Sequence, residues 1–294
     1  MSAAEVGVSG AGSAPGVVTR PRGRRLSTRL LRSELRIIAG RRRNQAGLLV
    51  LAAVPIVMAI AVKVSTPRAG EGPDFLSSIT SNGLFVPLAA LSVEMGMFLP
   101  LAMSMLSGDA IAGEANLGTL RYLLTVPVNR TRLLLVKYAS LCIGALWGIA
   151  AVALPGAVIG IALFGTGPLT TLSGTQIGFG AAVWREVLVM LYLAAGLAGL
   201  AAVGLFISTL TEVPIAAAIA LMVFTIVSWI LDAVPQLGWL HPWLLVDHWL
   251  AFGDLLRDPM AGAEIGRGLF TAAGYAVVFW LAAWARFAGK DITS

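Results

Sequence analysis

Residues 138–164 read YASLCIGALWGIAAVALPGAVIGIALF, a stretch of 27 residues without a charged side chain. Crossing the roughly 30 Å of hydrocarbon in a bilayer takes about 20 helical residues, so this stretch is long enough for a transmembrane helix. Five further apolar runs are comparable, at residues 46–62, 84–107, 187–207, 213–231 and 268–285. The sequence therefore predicts an all-α, polytopic membrane protein with six transmembrane helices, spanning residues 46–286.

Composition and charge agree with a membrane protein and predict its orientation. Only 12% of the residues are charged, about half the share of an average soluble domain. With six spans both termini share one side, and that side carries 16 of the 21 Lys and Arg residues. By the positive-inside rule we expect both termini in the cytoplasm, in a bacterial plasma membrane. The net charge of +6 then reflects topology, and no nucleic-acid partner is expected.

The N-terminal region divides into two predicted parts. Residues 1–25 are mostly Gly, Ala, Ser, Val and Arg without periodicity, and a disordered tail is expected. Residues 26–45 predict an amphipathic helix at the membrane surface, because leucines cover one side and the arginines Arg29, Arg32 and Arg36 the other. Its basic side would bind anionic lipid. Glu34 falls on the apolar side, so we expect it to have a protein partner. A solvated basic arm is the alternative.

Residues 108–132 read GDAIAGEANLGTLRYLLTVPVNRTR and predict a structured element at the cytoplasmic side. Asp109 and Glu114 follow the second span, and Gly118 breaks the helix. A second short helix is expected to begin after Thr119, to carry Leu120, Arg121 and Leu124, and to end at Pro127, before Arg130 opens the third span. The alternative is an ordinary loop whose cations follow the positive-inside rule. No phosphate-binding Gly-x-x-x-x-Gly-Lys-Ser/Thr motif occurs in the sequence.

The longest segment on the other side, residues 232–267, predicts a short amphipathic or re-entrant helix. Leu245, Trp249, Phe252 and Leu256 share one helical face. Three tryptophans suit the membrane interface, namely Trp239, Trp243 and Trp249. His241, Asp247 and His248 lack a zinc-binding spacing, so hydrogen bonding at the interface is the expected role. Residues 287–294 are expected to form a short cytoplasmic tail.

Glu94 is unusual because a charge within a span costs roughly 2.5–3.5 kcal/mol on insertion scales. A straight helix would place it on one face with Met97 and Met105, and we consider these three residues candidates for a transport pathway. The alternatives are a buried structural hydrogen bond and proton coupling. The methionines are expected to pack and not to bind copper, because the two Met-x-Met pairs do not converge on one face.

The order of motifs in this region resembles the type-2 permeases of ATP-binding-cassette (ABC) exporters. The matching positions are Asp109, Ile111, Gly113, Glu114, Gly118, Thr119, Leu120, Leu123, Leu124, Pro127, Arg130 and Lys137. The resemblance extends to the entry helix with Glu34 and Leu35 and to the six-span plan. It implies a non-catalytic membrane subunit that pairs with a second copy or a homologue. It also implies separate nucleotide-binding subunits, which would bind ATP and Mg and carry out hydrolysis.

The same resemblance implies that residues 119–125 form a coupling helix and that the helix at 27–39 flanks the ATPase. Two other functional classes stay open at this point. One is a secondary transporter that uses Glu94 as its own proton site. The other is a membrane anchor or sensor whose segment 108–137 recruits a cytoplasmic protein.

Overall fold

The computed structural model describes residues 29–65, 82–116, 118 and 130–289. These residues form nine α-helices, one two-stranded antiparallel hairpin and three 3₁₀-helices. The α-helices are α1 (Arg29–Gly40), α2 (Arg42–Ser65), α3 (Phe85–Gly96), α4 (Phe98–Gly108), α5 (Ala112–Asn116), α6 (Arg130–Phe164), α7 (Phe179–Leu210), α8 (Pro214–Asp232) and α9 (Gly262–Ala288). The hairpin joins β1 (Leu169–Thr170) to β2 (Gln176–Ile177), and the 3₁₀-helices are Pro235–Leu237, His241–Trp243 and Trp249–Leu256.

Among the described residues, five helices are each long and apolar enough to cross a membrane, namely α2, α6, α7, α8 and α9. Helices α3 and α4 pass the same test together, although they meet at an angle of 57°. The pair begins where the Gly83 N–H donates to Gly165 O, at the end of α6, and finishes where Gly108 O accepts from Ser208 at the end of α7. It therefore crosses the bundle as a bent sixth span. The prediction of an all-α, polytopic fold is confirmed.

The span predicted over residues 84–107 is present, but it is bent and not one straight helix. Met97, between the two halves, has φ −148° and ψ −50°, outside the helical region. Pro100 follows in the first turn of α4, and it has no N–H to donate to Gly96 O, four residues earlier. The chain bends at the position where that hydrogen bond is missing.

The six spans alternate in direction, so the bundle has two distinct ends. We call the basic end the one formed by α1, α5, the start of α6 and the end of α9, where Arg130 Nη1 donates to Ala288 O at 2.9 Å. We call the opposite end the one formed by the hairpin and the 3₁₀-helices. There Lys63 Nζ, near the end of α2, donates to Leu163 O at 3.0 Å, near the end of α6.

Helix α7 is the centre of the bundle, since 61% of its apolar stretch is buried against 17–33% for the other straight spans. Small residues let its neighbours approach closely. A Cβ added at Gly199 would lie 3.1 Å from Ala272 O on α9. The closest approach joins the start of α3 to α6, where a Cβ at Gly83 would overlap the backbone of Gly160.

The N-terminal helix has the expected two-sided character but ends earlier than predicted. Arg29, Arg32 and Arg36 are exposed, whereas Glu34 is buried. The helix stops at Gly40, and α2 begins at Arg42, before the apolar run at 46–62, so residues 26–45 are not one helix. The expected tail at 1–25 lies outside the described residues.

The segment after α8, predicted as a short amphipathic or re-entrant helix, folds as three short 3₁₀-helices that pack on the bundle. The predicted apolar face is buried, with Leu245, Trp249, Phe252 and Leu256 all inside. The Tyr192 hydroxyl, on α7, donates to His248 O at 2.6 Å. Trp239 and Trp243 are exposed, as expected for interfacial residues. Trp249 is buried edge-on against Trp229 at 6.0 Å between ring centroids, so its assignment to the interface is wrong.

Candidate functional site

A buried charge cluster at the basic end brings together three side chains from three helices. Lys137 Nζ, on α6, donates to Glu34 Oε2, on α1, at 2.8 Å. It also forms an ion pair with Glu114 Oε1, on α5. The exposed fractions of the three side chains are only 6%, 10% and 15% for Lys137, Glu34 and Glu114. We call these residues the Lys137 cluster.

The cluster follows from the local sequence of each helix. Glu34 lies on the apolar side of α1, which packs against α6, so its carboxylate enters the protein and not the solvent. Lys137 lies two turns into α6, where the apolar part of the span begins. A buried lysine needs a counter-charge because desolvation makes an isolated charge very unfavourable. The expectation that Glu34 has a protein partner is confirmed.

A second set of ion pairs fixes Asp109, in the turn after α4. Its Oδ2 accepts from Arg41, which joins α1 to α2, and from Arg43, in the first turn of α2. Arg43 also reaches the Met105 carbonyl at 3.4 Å. The end of the bent span is thereby tied to the start of the first span.

Ser208, near the end of α7, connects the turn after α4 with α5. Its hydroxyl donates to Gly108 O at 3.0 Å. The same oxygen accepts from the N–H groups of Ile111 and Ala112, at 3.1 and 2.9 Å. Free N–H groups at the start of a helix need such an acceptor, and here it comes from a distant span.

The two described edges of the predicted coupling segment agree with the sequence pattern: a helix break at Gly118 and the start of the next span at Arg130. Gly118 has φ +68° and its N–H donates to Ala115 O at 3.0 Å, so it terminates α5 in the left-handed conformation that favours glycine. Arg130 is the first residue of α6. The other predicted coupling residues lie outside the described residues, namely Thr119, Leu120, Arg121, Leu124 and Pro127.

The three pathway candidates do not share a face. Glu94 is fully buried, and neither carboxylate oxygen has a hydrogen-bond partner among the described residues. Met97 and Met105 are instead 49% and 42% exposed. The bend at Met97 changes the helical phase between Glu94 and Met105, which is why the predicted face is wrong. Met105 lines a groove of about 380 Å³ between α4 and α8, and Arg43 and Asp109 are also among its lining residues.

Four participants were not among the predicted site residues: Arg41, Arg43, Lys137 and Ser208. Lys137 was noted only as part of the family resemblance, although a lone cation at the start of an apolar run is itself a signal for a buried ion pair. Ser208 carries no distinctive local signal, because serine is common near the ends of spans.

The arrangement can hold helices in fixed positions relative to one another. The Lys137 cluster joins α1, α5 and α6, and the contacts of Asp109 and Ser208 join the same region to α2 and α7. Displacing α5 would therefore displace several spans with it. The helices are thus mechanically coupled, and the coupling depends on the largely buried charges of the Lys137 cluster.

Comparison with known proteins identifies the family of this chain. No curated protein matches this chain. A family model described as "Protein of unknown function (DUF2705)" matches residues 56–293, from the middle of α2 to beyond α9. That match covers well over half of the sequence, so the chain belongs to the DUF2705 family.

Proposed function

We propose that this chain is the membrane-spanning permease subunit of an ATP-driven ABC exporter in a bacterial plasma membrane. The observation that carries the proposal is Lys137 Nζ held between Glu34 and Glu114. It supports a force-bearing role for the segment after the second span, because the segment is tied through buried charges to α1 and to the third span. An ordinary solvated loop has no need of such ties.

In this proposal the basic end faces the cytoplasm and meets the ATPase subunits. Residues 119–125 form the coupling helix that the ATPase contacts, between the described ends at Gly118 and Arg130. When the ATPase pair closes, the push passes through Glu114 and Lys137 to α6, and through Asp109 to Arg41 and Arg43 at the start of α2. The spans then rock between inward- and outward-facing states.

The translocation pathway forms between this chain and a second copy or a homologue. ATP and Mg bind to the partner subunits, which supply the energy. In this proposal the groove between α4 and α8 lines the pathway, because it is largely apolar and its lining also carries Arg43 and Asp109.

The decisive test is purification of the chain from gently solubilised membranes with its associated proteins. We expect an ATPase subunit to co-purify and the complex to hydrolyse ATP in a vanadate-sensitive way. Glu114→Gln should lower the transport-coupled hydrolysis about tenfold or more. The lost charge-assisted hydrogen bond is worth about 1.5–3 kcal/mol, and 1.4 kcal/mol is a factor of ten.

The matched control is Glu264→Gln, the same change at a partly exposed glutamate at the opposite end, which pairs with Arg267 three residues away. It should leave hydrolysis unchanged. Full coupled activity in a well-folded Glu114→Ala complex would contradict the coupling role, and membranes that yield no ATPase partner would contradict the exporter itself.

A second candidate function rests on Glu94. A fully buried carboxyl group at a helix break, without a hydrogen-bond partner among the described residues, suits a proton-coupled secondary transporter. This candidate predicts that the chain alone, in sealed vesicles, moves solute in response to a proton gradient and that Glu94→Gln abolishes the movement. The exporter predicts no uphill movement by the chain alone.

A further inference from the structure

Three potential metal ligands converge at the opposite end of the bundle, far from the Lys137 cluster. Asp232 is the last residue of α8, His241 begins a 3₁₀-helix, and Asp247 lies just before the next one. One ligand atom from each side chain lies within 4.8 Å of the other two. The residues are too irregularly spaced in sequence to predict a site, and only the fold of the segment after α8 brings them together.

The hydrogen bonding of His241 leaves one ring nitrogen free to bind a cation. Its Nε2 lies 3.2 Å from the Val234 carbonyl oxygen, which can only accept a hydrogen bond. Nε2 therefore carries the hydrogen, and Nδ1 keeps its lone pair. Histidines that bind metals usually donate their other N–H to a carbonyl or carboxylate in this way, which fixes the tautomer and the orientation of the ring.

The two carboxylates lie close together without a lysine or arginine partner. Among the described residues, neither Asp232 nor Asp247 forms an ion pair with a lysine or an arginine. Asp232 Oδ1 is shielded from solvent and receives no hydrogen bond from any described donor. Asp247 is also near His248, whose Nδ1 is 3.7 Å from Asp247 Oδ2, too far for a hydrogen bond. Two ionised carboxylates this close repel each other, and a proton or a bound cation between them relieves the repulsion.

We propose that Asp232, His241 and Asp247 bind one divalent transition-metal ion, with Zn²⁺ as the best match. Two carboxylate oxygens and one imidazole nitrogen form a three-ligand zinc set that leaves a fourth position for water. Metal–ligand distances of about 2 Å require only small side-chain movements from the observed spacing. The exposed side of Asp247 gives the ion a route from solvent.

The imidazole distinguishes this ion from calcium and magnesium, which prefer oxygen ligands alone. A bound ion would join the end of α8 to the 3₁₀ segment that covers this end of the bundle. The inference depends only on the described geometry, so it is independent of the proposed exporter function.

The test is titration of the purified chain with Zn²⁺ by isothermal calorimetry, after purification through a tag that contains no histidine. Non-specific Zn²⁺ binding should be low because the sequence has only two histidines and one cysteine. We expect one ion per chain for the wild type. Asp247→Asn and His241→Gln should each weaken binding at least about 100-fold, because even the loss of a supporting residue typically weakens a metal site 10–100-fold.

Asp254→Asn is the matched control, the same change at an acidic residue of the same segment that pairs with Arg257 and lies outside the cluster. It should bind Zn²⁺ like the wild type. Thermal unfolding in EDTA should be equal for all four proteins, and Zn²⁺ should raise the unfolding temperature only of the wild type and Asp254→Asn. No saturable binding by the wild type, or equal affinity in wild type and Asp247→Asn, would overturn the proposal.

Discussion

Lys137 shows how a single side chain can join three helices within a largely apolar protein. Its ammonium group is almost fully buried and contacts one carboxylate from α1 and one from α5. A buried ion pair adds little net stability compared with an apolar contact, but removal of one partner leaves an uncompensated charge. Replacing all three residues of the Lys137 cluster should therefore destabilise the protein less than replacing the lysine alone.

We expect Lys137→Met to lower the free energy of unfolding by about 3–5 kcal/mol, because Glu34 and Glu114 would then face each other without a cation. Thermal unfolding in detergent measures the change. Arg257→Met is the control, since that arginine is half exposed and pairs only with Asp254 three residues away among the described residues. Combining Lys137→Met with Glu34→Gln and Glu114→Gln should recover most of the loss. Unfolding of Lys137→Met at the wild-type temperature would contradict this account.

The sequence predicted Glu34 and Glu114 of this site, but not Lys137 as their partner. Glu34 stood out because the helical period places a charge on an apolar side, and the structure supplies its partner. The partner itself is 103 residues away in sequence, and helical periodicity carries no information about such distant contacts. Likewise, the sequence predicted Asp109 as a site residue but not its distant partners Arg41 and Arg43.

Close contact between the helices depends on a few small residues and on the bend between α3 and α4. Gly83 and Gly160 allow the backbones of α3 and α6 to touch, and the 57° bend between α3 and α4 returns the chain to α8 and α7 at the basic end. Larger side chains at these glycines would separate helices that the rest of the bundle holds together.

Gly160→Ala should destabilise the protein by about 1–3 kcal/mol, because its Cβ would overlap the Gly83 carbonyl and neither backbone can move freely. The matched control is Gly274→Ala on α9, where an added Cβ meets nothing within 4 Å. That change should be neutral or stabilising by up to about 1 kcal/mol, since alanine favours a helix over glycine. Equal unfolding temperatures for the two variants would refute the packing argument.

At the scale of elements the number and order of spans could be predicted, because long apolar runs and the lengths between them determine both. The bend could not be placed by hydropathy, although the Gly96 and Pro100 pair marks it in retrospect. The 3₁₀ form of the segment after α8 was missed, because its buried positions fit an α-helical face equally well over so few residues.

The molecule as a whole presents apolar side chains outward along its spans. Several large ones are more than 60% exposed, including Leu154, Val158, Ile215, Phe270 and Val278. In a bilayer these side chains contact lipid, while most charged side chains lie toward the two ends of the bundle and Glu94 is buried within it. The end with the Lys137 cluster is the one that carries α1 with its exposed arginines.

If the basic end faces the cytoplasm, cysteines placed at the two ends will react from opposite sides. In a Cys142→Ala background, Ser33→Cys on α1 should react with a membrane-impermeant maleimide only in inverted vesicles. Gln176→Cys on β2 should react only in right-side-out vesicles. Both positions are exposed in the structure, so accessibility depends on sidedness alone. The reverse pattern, or labelling of both from one side, would contradict the predicted orientation.

The hydrogen bonds from Arg130 to the carbonyl oxygens of Phe287 and Ala288 have a practical consequence for reporter design. They fix the last turn of α9 beside the residue where the chain re-enters α6. A fluorescent protein fused directly after Gly289 would therefore sit next to that junction, where it could obstruct a docking protein. Such a fusion would lack residues 290–294 and would place the reporter at the basic end, so loss of activity in it would not by itself identify a damaged residue.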